Sequence, residues 1–250
     1  MEKLYKSTIE LLTDIDDVKD PLTPDESQLL SDGVLLYNLD LPWAIKLHNF
    51  TLAIVRANKV DEIKALIKYY VSMRETVLFE SFMLRQSFIT FVGYAIPSEK
   101  AIHTITNWFF EQQKINNNIK LVDMGAGSGI WELLLHDAGI PKESLIAVDL
   151  PKDKKTHKFE RLFWPVIEDM AYKVDPSNIM FIAWGYMTSN IIKEFEDRGG
   201  KCVIILGENE SGCTYPESDY FKDNLNWTTT VVHVTGGASR YDMLTLNIKK

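Results

Sequence analysis

Leu121-Val122-Asp123-Met124-Gly125-Ala126-Gly127-Ser128-Gly129-Ile130-Trp131 is the stretch whose reading decides the fold. Its first residues form a short apolar run, the mark of a buried parallel strand. Three glycines at alternate positions then break the run, and Trp131-Glu132-Leu133-Leu134-Leu135 has helical composition. Strand, glycine turn and helix in succession are how an α/β sheet builds a nucleotide site at a strand's carboxyl end. Glycine lets the backbone approach a ligand, and the helix that follows offers free N–H groups.

The spacing separates two kinds of nucleotide turn. A dinucleotide fingerprint, G-x-G-x-x-G, would need its third glycine at position 130. That position is Ile130, and the third glycine comes one residue earlier, at Gly129. Asp123 lies two positions before the first glycine. The resulting D-x-G-x-G-x-G order resembles motif I of the class I methyltransferases, which bind S-adenosylmethionine. The resemblance makes Asp123, Gly125, Ala126, Gly127 and Gly129 the expected cofactor-binding turn, shaped for a methionine moiety and ribose rather than a pyrophosphate. The competing reading is a glycine-rich turn that serves only the fold.

A second acidic signal follows at the right distance. Leu145-Ile146-Ala147-Val148-Asp149 is an apolar run ending in an acid, about 20 residues past the glycines, where a carboxylate can accept both ribose hydroxyls. Asp149 and Leu150 therefore join the cofactor set, with a loop-capping Asp as the alternative. Lys152, Lys154, Lys155, His157 and Lys158 follow as a charged segment, read first as a solvated loop.

The rest of the chain divides around these two strands. Residues 1–92 are expected to be a helical N-terminal region and 93–250 the cofactor-binding domain. Between Trp43 and Val92 there is no Gly or Pro, and Ile63, Leu66, Ile67, Tyr70 and Val71 recur at helical spacing. Pro97 favours extended geometry at Ile96, and Ser98 is placed to cap a helix over Ala101–Phe110. Pro165-Val166-Ile167-Glu168-Asp169 is expected to follow a short third strand. Ile179–Trp184 reads as a fourth strand, Ile191–Glu196 as a helix and Cys202–Leu206 as a fifth strand. Thr228–Val234 and Met243–Ile248 are β-rich and read as an antiparallel pair. Five strands with helices between them and an antiparallel finish predict an α/β, Rossmann-like class I methyltransferase sheet. A plain dinucleotide fold would end on a parallel strand.

Further phrases resemble a poorly characterised methyltransferase-like family: Tyr94-Ala95-Ile96-Pro97, Gly125 to Trp131, Phe163-Trp164-Pro165-Val166, Gly207-Glu208 and Gly212-Cys213-Thr214. The match runs from about Val92 to the end. Cofactor binding is what it implies, and by the same token Tyr94 and Ile96 are expected over the cofactor and Asp169, with Glu168 as its rival, at the adenine amino group. Relatives tend to carry a Trp-Pro-Pro-Tyr-like sequence after the fourth strand; this chain reads Trp184-Gly185-Tyr186-Met187. The Asn- or Asp-Pro-Pro-aromatic loop of adenine amino-methylating enzymes is missing too, which argues against that chemistry.

Methyl transfer is an in-line displacement from an activated sulfonium, so positioning and water exclusion can supply much of the catalysis. Trp184 and Tyr186, at the carboxyl edge of the sheet, and Glu208, after the fifth strand, are the catalytic candidates. Trp184 is also counted with the cofactor set. Glu208 could orient or deprotonate an amine or hydroxyl. No metal is expected, because the five histidines form no ligand pair and the two cysteines fit no zinc pattern.

Composition sets the outer limits. With 46% hydrophobic residues among 250, the chain can bury a full core, and 27 basic against 35 acidic residues give a net charge of −8. That balance favours a small molecule or a protein over nucleic acid as acceptor, since phosphate neutralisation needs clustered Lys and Arg. The N-terminus lacks the apolar core of a signal peptide, and no run approaches the length of a membrane span. A cytoplasmic protein is expected, with the helical N-terminal region available for substrate or protein contacts. Two other classes stay in view: a methyltransferase-like cofactor-binding or interaction module without catalysis, and an NAD-dependent Rossmann enzyme, which Ile130 and the antiparallel finish disfavour.

Overall fold

A computed structural model describes residues 61, 93–95, 97–151, 162–185, 189–208, 220–221, 224–234 and 242–250. The chain divides into two compact units, Met1–Phe91 and Val92–Lys250. The architecture below is that of the second. The expected N-terminal helices, Ile96, the lysine-rich segment after Pro151, Tyr186 and Cys213 lie outside the described residues.

The second unit opens with helix α1 (Glu99–Ile115). Ser98 starts it as expected, its hydroxyl accepting the Ala101 N–H at 3.2 Å. Glu99 in the first turn and Lys114 in the last suit the helix dipole. The helix continues past Phe110 because Glu111-Gln112-Gln113-Lys114 are good helix formers and Gln112 is buried, and it ends at the Asn116 cap. Its inner face is Ala101, Ile102, Ile105, Thr106, Phe109 and Gln112.

The sheet is built from β1 (Leu121–Met124), β2 (Leu145–Asp149), β3 (Val166–Glu168), β4 (Ile179–Ala183), β5 (Cys202–Glu208), β6 (Trp227–His233) and β7 (Asp242–Lys249). Helix α2 (Ile130–Asp137) follows β1, and α3 (Ser189–Asp197) links β4 to β5. The strand order is β3-β2-β1-β4-β5-β7-β6. β1 runs parallel to both β2 and β4, with Leu121 opposite Leu145 and Ile179. β7 lies between β5 and β6, antiparallel to each. This mixed sheet is the class I methyltransferase fold expected from the sequence. The place where the chain reverses its direction of progress across the sheet falls between β1 and β4, and ligands of open α/β sheets bind outside the carboxyl ends of the strands at such a point.

The core explains why these segments are strands. Val122, Met180, Ile182, Val203 and Ile205 meet Ile192 and Phe195 of α3 and Trp227 of β6, all buried. Burying each large apolar side chain contributes about 1.5–3 kcal/mol, and the central strands β4 and β5 carry most of them. β6, at the edge, is exposed from Thr228 to Val231, where β-branched residues suit a half-solvated strand.

Two boundaries differ from expectation. β3 is Val166–Glu168 itself rather than a strand ahead of Pro165. At the sheet edge it is largely exposed, so no apolar run marks it, and Pro165 stands just outside where no N–H is needed. β5 extends through Gly207 to Glu208, because the antiparallel ladder continues with Gly207 opposite Met243 and Glu208 opposite Asp242.

Candidate functional site

The glycine turn is fastened to the end of β2. Gly125 and Ala126 both donate their N–H groups to the Val148 carbonyl, at 2.8 and 3.0 Å. The glycines then do different work. Gly125 has φ +101°, and a side chain there would meet nothing within 4 Å, which leaves room for a ligand against the backbone. Gly129 has φ +76°, and a Cβ there would lie 2.6 Å from the Cβ of Trp164. The third glycine, whose spacing separated the two turn types, is thus required by packing. Trp164 reaches it because the neighbouring Phe163 N–H donates to the Ser128 carbonyl at 2.7 Å.

Asp149 closes the other side of the turn. Its Oδ2 accepts the Gly127 N–H at 3.0 Å and its Oδ1 accepts the Leu150 N–H at 2.6 Å. It therefore caps the loop, the alternative weighed for it. A carboxylate oxygen has two lone pairs, so capping leaves acceptor capacity for hydroxyls. Asp149 stands opposite Glu168 in the parallel ladder, and its carbonyl accepts the Asp169 N–H at 3.1 Å. Asp169 Oδ1 in turn accepts the Ala171 N–H at 2.8 Å. Around these acids, Leu150, Ile167 and Met170 remain 44%, 46% and 64% exposed. Large apolar side chains grouped at one strand edge and left in water suit a flat apolar ligand face.

The segment before α1 is tied to the start of α2. The Trp131 indole N–H donates to the Ala95 carbonyl at 3.2 Å, and the ring packs edge-on against Phe181 of β4, centroids 5.4 Å apart. Tyr94 lies beside that anchor, more than a third exposed, its hydroxyl pKa raised by partial burial.

At the ends of β4 and β5 stand the acceptor-side candidates. Trp184 follows β4 directly, and its N–H donates to the Leu206 carbonyl at 2.8 Å. Its φ is +56°, the only left-handed non-glycine among the described residues. That conformation costs an L-residue roughly 1–2 kcal/mol, and such strain gathers at functional sites. Glu208 is the last residue of β5, not a residue beyond it, and is buried. Among the described residues no group of three His, Cys, Asp or Glu could hold a metal ion.

The sequence reading counted Asp123 in the cofactor turn but missed the acid buried with it. Asp123 of β1 and Glu132 in the first turn of α2 are 1% and 0% exposed. None of their four carboxyl oxygens meets an N–H or hydroxyl donor among the described residues. Each carboxyl acts on the other's acidity, and a proton held between them would give these orphaned oxygens a partner. Burial, the charge of Glu132 and, more weakly, that of Asp149 hold Asp123 well above the usual carboxylate range. Burial also pushes Glu132 up to about 7. Glu132 was passed over because an acid in a helix's first turn reads as an exposed dipole partner. The available signal was its position between Trp131 and Leu133-Leu134-Leu135, the lone charge in an apolar run.

The strand order and register place a ligand site at the β1–β4 switch point of an α/β, Rossmann-like sheet with an antiparallel finish. No protein-family model and no curated protein sequence matches the chain. Solved structures similar to it include precorrin-6y C5,15-methyltransferase from Geobacter metallireducens, 13% identical over 62% of this chain and 90% of that one, TM-score 0.42. An O-methyltransferase from Bacillus cereus in complex with SAH is 11% identical over 67% and 97%, TM-score 0.38. The O-methyltransferase TomG from Streptomyces achromogenes, in complex with SAM, is 12% identical over 64% and 83%, TM-score 0.40.

Proposed function

We propose that the chain is an S-adenosylmethionine-dependent methyltransferase. The observation that carries this reading is the open glycine turn fastened to Asp149, at the switch point of a sheet ordered β3-β2-β1-β4-β5-β7-β6. In this reading Gly125, Ala126 and Gly127 cradle the methionine and ribose portions, and Asp149 accepts from the ribose hydroxyls. Leu150, Ile167 and Met170 cover the adenine, Asp169 or Glu168 accepts from its amino group, and Tyr94 and Ile96 lie over the cofactor. The bound cofactor supplies a methyl group on a positively charged sulfur.

The chain's own residues then position the acceptor. Trp184 and Glu208, at the ends of β4 and β5, meet it, with Tyr186 as the third candidate from the sequence. Glu208 orients an amine or hydroxyl and takes the proton released as the new bond forms. Trp184 and Tyr186 supply flat apolar surface that excludes water. The acceptor is a small molecule or a protein, in keeping with the acidic balance of the chain. Residues 1–92 serve substrate or protein contacts, and residues 93–250 are the catalytic domain. No helix among the described residues is long and apolar enough to cross a membrane, in keeping with a cytoplasmic task.

The test is transfer of labelled methyl from S-adenosylmethionine into fractionated cell extract by the full chain. Label in a small-molecule or protein fraction is expected, appearing about tenfold or more slowly in Glu208→Gln. Cofactor binding without label in any fraction would favour a binding module without catalysis.

A further inference from the structure

The acid pair beneath the glycine turn has no task in the methyl-transfer scheme. Two fully buried carboxyls that act on each other resist ionising together, since burial leaves their repulsion poorly screened. Among the described residues their surroundings supply no countercharge. β4 presents the apolar Ile179-Met180-Phe181-Ile182-Ala183, and the buried face of α1 carries no ionisable group. On α2, the neighbours Ile130, Trp131 and Leu135 are buried and apolar, with His136 exposed in the last turn. The charged group that reaches Asp123 from another strand is Asp149 of β2, and it is also negative. The same Asp149 holds Gly127. The pair therefore lies under the turn, within electrostatic reach of anything bound on it.

We propose that Glu132 is a positioning residue that fixes Asp123 through a shared proton, and that the pair's proton is released when a cation binds in the glycine turn. This rests on the S-adenosylmethionine reading for the identity of the cation: the ammonium of the methionine moiety, and the sulfonium of the methyl donor. A cation above the turn favours the more ionised pair, so binding and protonation oppose each other. The pair also acts without ligand. Both acids have raised values in the folded protein, so the folded state holds protons that the unfolded chain gives up. Stability is complete below the ordinary glutamate range and falls as pH rises toward about 7, the value for Glu132.

The test uses the full chain and two isosteric variants, Glu132→Gln and Asp123→Asn, each leaving an amide to hydrogen-bond the remaining acid. Without ligand, the wild-type melting midpoint should fall by several degrees between about pH 5 and about pH 8, and at least one variant should lose most of that slope. Equal slopes in wild type and both variants would overturn the shared proton. Should one variant fail to fold, the other decides. With S-adenosylhomocysteine, which keeps the ammonium, wild-type affinity should rise severalfold from about pH 6 to about pH 8. Its binding heat at neutral pH should differ between buffers of unlike ionisation enthalpy, with that difference absent in the variant. Equal binding heats in the two buffers for wild type would overturn the release on binding. Failure of every protein to bind the ligand would overturn the S-adenosylmethionine reading and the proton release with it, while the ligand-free slopes would still decide whether the proton is shared.

Discussion

The two halves of the sheet's carboxyl edge are built differently. At the ends of β1, β2 and β3 the backbone does the work: an open glycine, N–H groups donated to Val148 and Asp149, and acids placed by strand register. At the ends of β4 and β5 the side chains do it, with a Trp held at φ +56° and one buried Glu. Under the proposed function the first half would hold the methyl donor, a task common to enzymes of that chemistry, which fits its generic geometry. The second half would then meet the acceptor, and nothing in its spacing repeats a general rule.

The sharpest way to break this contrast is inside the glycine turn. Gly129→Ala should cost about 3 kcal/mol of stability, combining left-handed strain with overpacking against Trp164. Gly125→Ala should cost only the strain, roughly 1–2 kcal/mol, because its Cβ enters open space. Denaturant midpoints compare the two directly; equal losses would mean that the two glycines do the same job. Next comes Asp149→Ala, expected to weaken cofactor binding about 10- to 100-fold by leaving the ribose hydroxyls and the Gly127 N–H without an acceptor. Calorimetry reads that loss, and unchanged affinity would remove Asp149 from the site.

On the acceptor side, Glu208→Gln should lower turnover by about tenfold or more and leave cofactor affinity unaltered. A drop in cofactor affinity instead would move Glu208 into the cofactor half. The smallest effect is expected for Trp131→Phe, which keeps the packing on Phe181 but loses the bond to Ala95. A loss of about 1 kcal/mol in cofactor binding, read as an affinity lower by roughly fivefold, would reflect a looser Tyr94 segment.

Much of the cofactor half was legible because it is written in local signals. Glycines at alternate positions and an apolar strand ending in Asp149 state their own conformations. Ser98 likewise announced the start of α1. The insertion of β7 between β5 and β6 was not legible, since periodicity marks a strand but not its neighbours. The extent of β3 was hidden because an exposed edge strand has no apolar run to betray it. Gly129 was read for its spacing, while its structural reason, Trp164, lies 35 residues later and touches it only in the fold. Glu132 was missed for the same reason: its partner is across a turn, and sequence shows its charge but not its burial. Trp184 was picked for its place after β4, and its left-handed backbone could not have been foreseen from a bulky aromatic residue.

The central claim is that this turn holds a methyl donor. Calorimetric titration of the full chain with S-adenosylmethionine, S-adenosylhomocysteine and NAD tests it most directly. Saturable binding of the first two, weakened by Asp149→Ala, is the result expected. Binding of NAD in preference to either would contradict it.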